Sequence, residues 1–165
     1  LGDVYKRQVH QHLGGLPPKV DLAGEKRLAG LLGAARDEWL ISSAHDVSEG
    51  GLAQALAEGV SRFGVGARVW LNEIIERDGV DAATALFSES TGRVIVTVPR
   101  EDDVKFRGLC EGRDYPVMRI GVTDSEGAKL EVQDVFTVPV AEIRERSQAT
   151  LPAAFGPTVS EPVSA

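Results

Sequence analysis

The densest run of chemically capable side chains in this 165-residue chain is AHDVSEGGLAQAL, Ala44 to Leu56. His45, Asp46, Ser48 and Glu49 stand together, and Gly50 and Gly51 follow at the start of a stretch with helical periodicity. Glycines in a first helical turn cost roughly 1 kcal/mol each relative to Ala. A ligand brought close to the backbone would account for that cost. Free amides at a helix start favour an anion such as phosphate, and Asp46 is a hard oxygen donor suited to Mg²⁺. The plainer alternative is that Asp46 or Ser48 caps the helix, worth about 1 kcal/mol, while the glycines permit close packing. His45 alone reads as a hydrogen-bonded structural residue rather than a base.

A second polar cluster lies in TALFSESTGRVIVTVP, Thr84 to Pro99. Ser88, Glu89 and Ser90 form a turn ahead of an apolar run, where a carboxylate between two hydroxyls can orient a polar ligand or a metal-bound water. The competing reading is a turn stitched to its own backbone, with Glu89 in solvent. Arg93 can pair with a phosphate or with Glu89, and the sequence leaves both open. Elsewhere, Cys110 falls on an apolar helical face and reads as core. His10 and His12 lack the further ligands a metal needs. The run Glu142 to Arg146 reads as a solvated helix face.

These clusters need elements to hold them. Asp21 is a plausible N-cap, and Leu28, Leu31, Leu32, Ala35 and Trp39 recur as the stripe of an amphipathic helix. A second helix is predicted from Glu49 to Phe63, with Leu52, Ala55, Leu56, Val60 and Phe63 inward and Gly64 as its stop. A strand follows at Ala67–Leu71, then a short helix at Asp81–Phe87 with Phe87 in the core. Arg93–Val98 reads as a buried strand and Glu101–Glu111 as a helix with Phe106, Leu109 and Cys110 inward. Met118–Thr123 and Lys129–Val132 read as a hairpin around Asp124–Gly127, and Pro139 opens a last helix to Leu151. The expected architecture is a layered α+β domain with a mixed sheet packed by helices. The predicted division is a sequencing scar at 1–8, an entry loop at 9–20, the domain at 21–152 and a disordered tail at 153–165.

Composition narrows the function classes. A net charge of −7 argues against nucleic acid as a general partner. A single cysteine excludes an internal disulfide framework. No apolar run approaches the roughly 20 residues of a membrane span, so no membrane partner is expected. A cytoplasmic location is the default expectation.

The two motifs, HDVSEGGLAQALAE (His45 to Glu58) and ALFSESTGRVIV (Ala85 to Val96), together resemble the phosphoribosylformylglycinamidine synthases. HLGGLPPKVDLAGEKRL (His12 to Leu28) and RIGVT (Arg119 to Thr123) match the same family in the same order. The resemblance covers Val9 to Phe155. Other members of the superfamily, such as aminoimidazole ribonucleotide synthase, selenophosphate synthase and thiamine-monophosphate kinase, spell the first motif differently.

The resemblance implies a C-terminal fragment of a larger ligase, with the α+β fold of the aminoimidazole ribonucleotide synthase C-terminal domain. In such enzymes ATP phosphorylates the amide oxygen of formylglycinamide ribonucleotide, and ammonia from glutamine displaces phosphate to give the amidine. The catalytic histidine, the lysine near ATP and most Mg²⁺ ligands belong to parts outside this chain, so no catalytic residue is assigned here and the chain alone is expected to be inactive. His45, Asp46, Ser48, Glu49, Gly50, Gly51, Ser88, Glu89 and Ser90 carry over to a cleft that binds ATP or ADP, with Asp46 on Mg²⁺. The implied partners are the N-terminal part of the same synthetase, a glutaminase subunit and a small adaptor subunit. The alternative is a free-standing nucleotide-binding or subunit-contact module without catalysis.

Overall fold

The computed structural model describes Gln11 and residues 18–156. In chain order the elements are α1 (Leu22–Asp37), β1 (Ser43–Asp46), α2 (Gly51–Phe63), β2 (Gly66–Val69), α3 (Asn72–Asp78), α4 (Ala82–Phe87), β3 (Val94–Thr97), a 3₁₀ turn (Arg100–Asp102), α5 (Asp103–Gly112), β4 (Gly121–Asp124), β5 (Lys129–Val132), β6 (Phe136–Pro139) and α6 (Val140–Phe155). The segments 1–8 and 157–165, and His10 and His12, lie outside the described residues.

Four strands form a mixed sheet in the order β4-β2-β5-β6. β2 is antiparallel to β4 and parallel to β5, and β5 is antiparallel to β6. The β5 side chains alternate as a sheet with one covered face requires. Leu130 and Val132 are buried, while Glu131 between them pairs with Arg68 at 3.4 Å and Lys129 at 3.1 Å. The covering layer is α2, whose Leu52, Ala55, Leu56 and Val60 share one face and join Val69, Leu130 and Val132 in the main core. Leu71, Ile74, Ala85, Leu86 and Val140 close that core. A second, smaller core joins α1 and α5 through Leu31, Ala35, Leu40, Phe106 and Cys110. Between the two cores β1 and β3 pair as an antiparallel ribbon, with Ser43 facing Thr97 and Asp46 facing Val94. The α+β layering with a mixed sheet is therefore as expected.

Several local expectations are corrected. Trp39 is not on the α1 stripe: the helix stops at Asp37, the chain reverses at Trp39 (φ 57°), and the indole is 86% exposed. Phe63 ends α2 but faces solvent, with the Arg62 guanidinium 5.8 Å from its ring centre. Phe87 is half-exposed rather than core; its neighbour Leu86 is the buried residue. β3 is half-buried along its length, because a two-stranded ribbon leaves it without a second neighbour. β4 and β5 do not form a hairpin: β2 lies between them, and the hairpin is β5–β6. The elements β1, α3 and β6 were not anticipated. α6 continues through Phe155, past the boundary drawn at 152.

Candidate functional site

The ribbon brings the two polar motifs side by side. The β1–β3 ladder runs to the Asp46–Val94 pair, and the Val47 amide adds one more bond, to the Arg93 carbonyl at 3.0 Å. Val47 is buried and anchors this end. The chain then turns through Ser48, Glu49 and Gly50 into α2. Gly50 (φ 76°) and Gly51 (φ 64°) both take left-handed backbone, which side-chain-bearing residues seldom adopt. A Cβ on Gly51 would stand 2.7 Å from the carbonyl oxygens of both Leu86 and Ser88. The second glycine thus lets the end of α4 and the FSES turn lie directly against the start of α2. The Gly50 amide completes the junction by donating to Glu89 Oε1 at 2.9 Å.

This geometry removes the simple capping alternative. Gly50 holds the N-cap position without a side-chain bond, and neither Asp46 nor Ser48 reaches an α2 amide. The Asp46 carboxylate is 73% exposed and accepts the Ser48 hydroxyl at 2.6 Å. That bond, helped by the backbone amide of Asp46 itself, lowers its pKa from the ordinary aspartate value. Glu49 is exposed and forms no hydrogen bond or ion pair among the described residues. The Gly51 amide is satisfied by the Ser48 carbonyl at 3.0 Å.

Both ring nitrogens of His45 are engaged within the chain. Nδ1 lies 2.7 Å from the Asp46 carbonyl oxygen and Nε2 lies 2.9 Å from Glu58 Oε2. Two acceptors suit a ring that donates from both nitrogens, so the His45 pKa is raised, chiefly by the bond to the Asp46 carbonyl. Gln54 Nε2 donates to the other Glu58 oxygen at 2.7 Å. β1 is thereby tied to the face of α2.

Of the two options the sequence left open, the structure does not form the pair with Glu89: the Arg93 guanidinium donates to the Ser88 and Ser90 carbonyls. Burial lowers its pKa, the guanidinium remaining charged. The spacing of Arg93 from Ser88 and Ser90 carries no signal by itself; only the turn conformation brings the donors and acceptors together.

The donor set fits Mg²⁺ in a limited way. Asp46 offers an exposed carboxylate beside the Ser48 hydroxyl, which are hard oxygen donors. No group of three or more His, Cys, Asp or Glu side chains able to hold a metal occurs among the described residues. Asp46 thus offers one carboxylate, and the described residues assemble no complete set of metal ligands. A trench of about 1370 Å³ between the two cores is lined by apolar residues such as Ile95, Phe106 and Ile120 and by charged ones that include His45, Arg77, Arg93 and Arg119. Asp46, Ser48, Glu49 and Glu89 lie outside it. No helix among the described residues is long and apolar enough to cross a membrane.

Residues 2–133 match the family described as AIR synthase related protein, C-terminal domain, and the chain belongs to that family. Among curated proteins it is 63% identical, over 96% of its length, to the phosphoribosylformylglycinamidine synthase subunit PurL of Leifsonia xyli subsp. xyli, and 50% identical, over 88%, to that of Renibacterium salmoninarum. It spans 21% and 19% of those two proteins, about a fifth of their length. PurL of Thermotoga maritima has the same fold. Its complex with FGAR aligns with a TM-score of 0.64 at 23% identity, covering 76% of this chain and 21% of the other. Its complex with ATP aligns at 0.60 and 22%, covering 72% and 21%. In the assembly PurLQS the values are 0.65 and 25%, covering 76% and 22%.

Proposed function

We propose that the chain is the C-terminal domain of a phosphoribosylformylglycinamidine synthase, a carbon-nitrogen ligase of purine biosynthesis that converts formylglycinamide ribonucleotide to its amidine with ATP and glutamine. The observation that carries this reading is the 63% identity to the Leifsonia subunit along nearly the whole chain. The Thermotoga complexes with FGAR and ATP are consistent with it. By this reading the domain works in the cytoplasm beside the N-terminal part of the synthetase, a glutaminase subunit and a small adaptor subunit. The PurLQS assembly supports the existence of further subunits.

In this reading the HDVSEGG loop and the FSES turn border a nucleotide cleft. The α2 amides of Leu52 and Ala53 have no partner among the described residues, and the positive end of the helix favours phosphate. Asp46 and Glu49 on the exposed side would repel a phosphate, so the cleft needs a countercharge. Mg²⁺, when bound, supplies that countercharge. Asp46 is the residue of this chain suited to hold it, with Ser48 fixing the carboxylate by its 2.6 Å bond. The chain's role is positioning and charge placement for phosphoryl transfer carried out by residues elsewhere in the enzyme.

The test is Asp46→Asn in the complete synthetase. Affinity for Mg·ADP, read by calorimetry, should fall about tenfold, with an unchanged melting temperature because the side chain is exposed and caps nothing. Wild-type affinity in this variant would overturn the cleft assignment.

A further inference from the structure

Arg93 is joined to both motifs at once. Its carbonyl accepts the Val47 amide at 3.0 Å, which fixes the chain one residue past Asp46. Its guanidinium donates from Nη2 to the Ser88 carbonyl, and from Nε to the Ser90 carbonyl at 3.2 Å. Those two carbonyls flank Glu89, whose carboxylate holds the Gly50 amide at 2.9 Å. The preceding residue is anchored as well: the Gly92 carbonyl accepts the Tyr115 hydroxyl at 2.8 Å.

The chemistry of the guanidinium matters here. Its N–H groups point in fixed directions within one plane, so two carbonyls on either side of a residue can be gripped together. An ammonium group carries the same charge without that geometry. Gripping both neighbours of Glu89 leaves the turn little freedom and presents the Glu89 side chain to Gly50.

We propose that Arg93 is a positioning residue for the ligand loop: it shapes the FSES turn, and the turn, through Glu89 and the Gly50 amide, holds the start of α2 in the conformation the ligand meets. In this role the Arg93 guanidinium acts through the backbone carbonyls of Ser88 and Ser90. The proposal rests on the nucleotide-cleft reading above, and its test separates the two.

The experiment uses the complete synthetase and compares wild type with Arg93→Lys, Glu89→Gln, the double variant, Asp46→Asn and a core control, Val132→Ala. Two quantities are read: hydrogen exchange of the peptide containing the Gly50 amide, without ligand, and affinity for Mg·ADP. Arg93→Lys and Glu89→Gln should each speed Gly50 exchange and weaken affinity about tenfold. The double variant should be no weaker than either single, because both residues act through one contact. Val132→Ala should lower the melting temperature yet leave Gly50 exchange and affinity as in wild type, which separates positioning from general loss of stability. Wild-type Gly50 exchange in Arg93→Lys overturns the proposal, as does a double variant weakened about a hundredfold, the product of the singles. Faster exchange with unchanged affinity in Arg93→Lys, while Asp46→Asn weakens binding, also overturns it. Faster Gly50 exchange in Arg93→Lys with Asp46→Asn silent on affinity supports the Arg93–Glu89–Gly50 connection and overturns the cleft reading instead.

Discussion

Two glycines of the same helix, α2, should respond to alanine with opposite signs. At Gly51 the new Cβ would stand 2.7 Å from two carbonyl oxygens and 2.9 Å from the carbonyl carbon of Phe87. These are backbone atoms and cannot rotate away. The φ of 64° adds the left-handed penalty of an L-residue, about 1–2 kcal/mol. Displacing packed backbone adds about 1–3 kcal/mol. Gly51→Ala should therefore cost about 2–5 kcal/mol. At Gly59 a Cβ meets nothing within 4 Å and the backbone is helical. There the substitution should gain about 0.5–1 kcal/mol, by lowering the entropy of the unfolded chain. Urea unfolding followed by the fluorescence of Trp39 and Trp70 measures both. With a slope of about 2 kcal/mol per molar, the midpoint should fall by about 1–2.5 M for Gly51→Ala and rise by about 0.3–0.5 M for Gly59→Ala. A Gly51→Ala loss below about 1 kcal/mol would mean that the FSES turn does not rest on the start of α2, and the geometry of the candidate site would fall with it.

Leu86→Ala should cost about 2–5 kcal/mol by chemical denaturation, whereas the half-exposed neighbour Phe87→Ala should cost well under the about 3–5 kcal/mol typical of a core phenylalanine; equal losses would place Phe87 in the core after all. The Asp124 carboxylate accepts the amides of Glu126 and Gly127 at 2.9 and 3.0 Å, and these bonds, Gly127 first, lower its pKa below 3.8. Its contribution is thus present above the unfolded value and lost as pH falls through the folded one, so the stability gap between wild type and Asp124→Ala should close in acid melts below pH 3.8; a gap that persists at low pH refutes the assignment. The 165-residue chain by itself should hydrolyse no ATP above background; turnover abolished by Asp46→Ala would show that the chain carries its own catalytic site.

What the sequence revealed and concealed follows the range of the interactions. The α2 stripe was legible because Leu52, Ala55, Leu56 and Val60 repeat within one helix and Gly64 stops it in left-handed backbone. Trp39 continued the α1 spacing, yet spacing says nothing of where a helix ends. β1 was concealed because SAHD is short and mostly polar, and it becomes a strand only by pairing with β3. The turn at Asp124–Gly127 has hairpin chemistry, with Asp124 accepting the amides of Glu126 and Gly127, but β2 takes the position between the flanking strands. Both polar motifs were visible as clusters. Their contact was not, since the Gly50–Glu89 bond and the grip of Arg93 depend on the register that sets Asp46 opposite Val94.

The position of β2 also dictates a schedule for synthesis. Arg68 faces Val122 on one side and Glu131 on the other, so both neighbours of this strand leave the ribosome long after it does. At roughly 5–20 residues per second the wait is on the order of 3–10 s. During that interval the apolar face of α2 lacks Leu130, Val132 and Val140, and the earlier residues of that core, such as Val47, Val69, Leu71 and Leu86, cover it only in part. A nascent chain halted before β5 should accordingly be a substrate for chaperones or proteases, and the ordered sheet should form in one late, non-local step once residues up to Val140 are free.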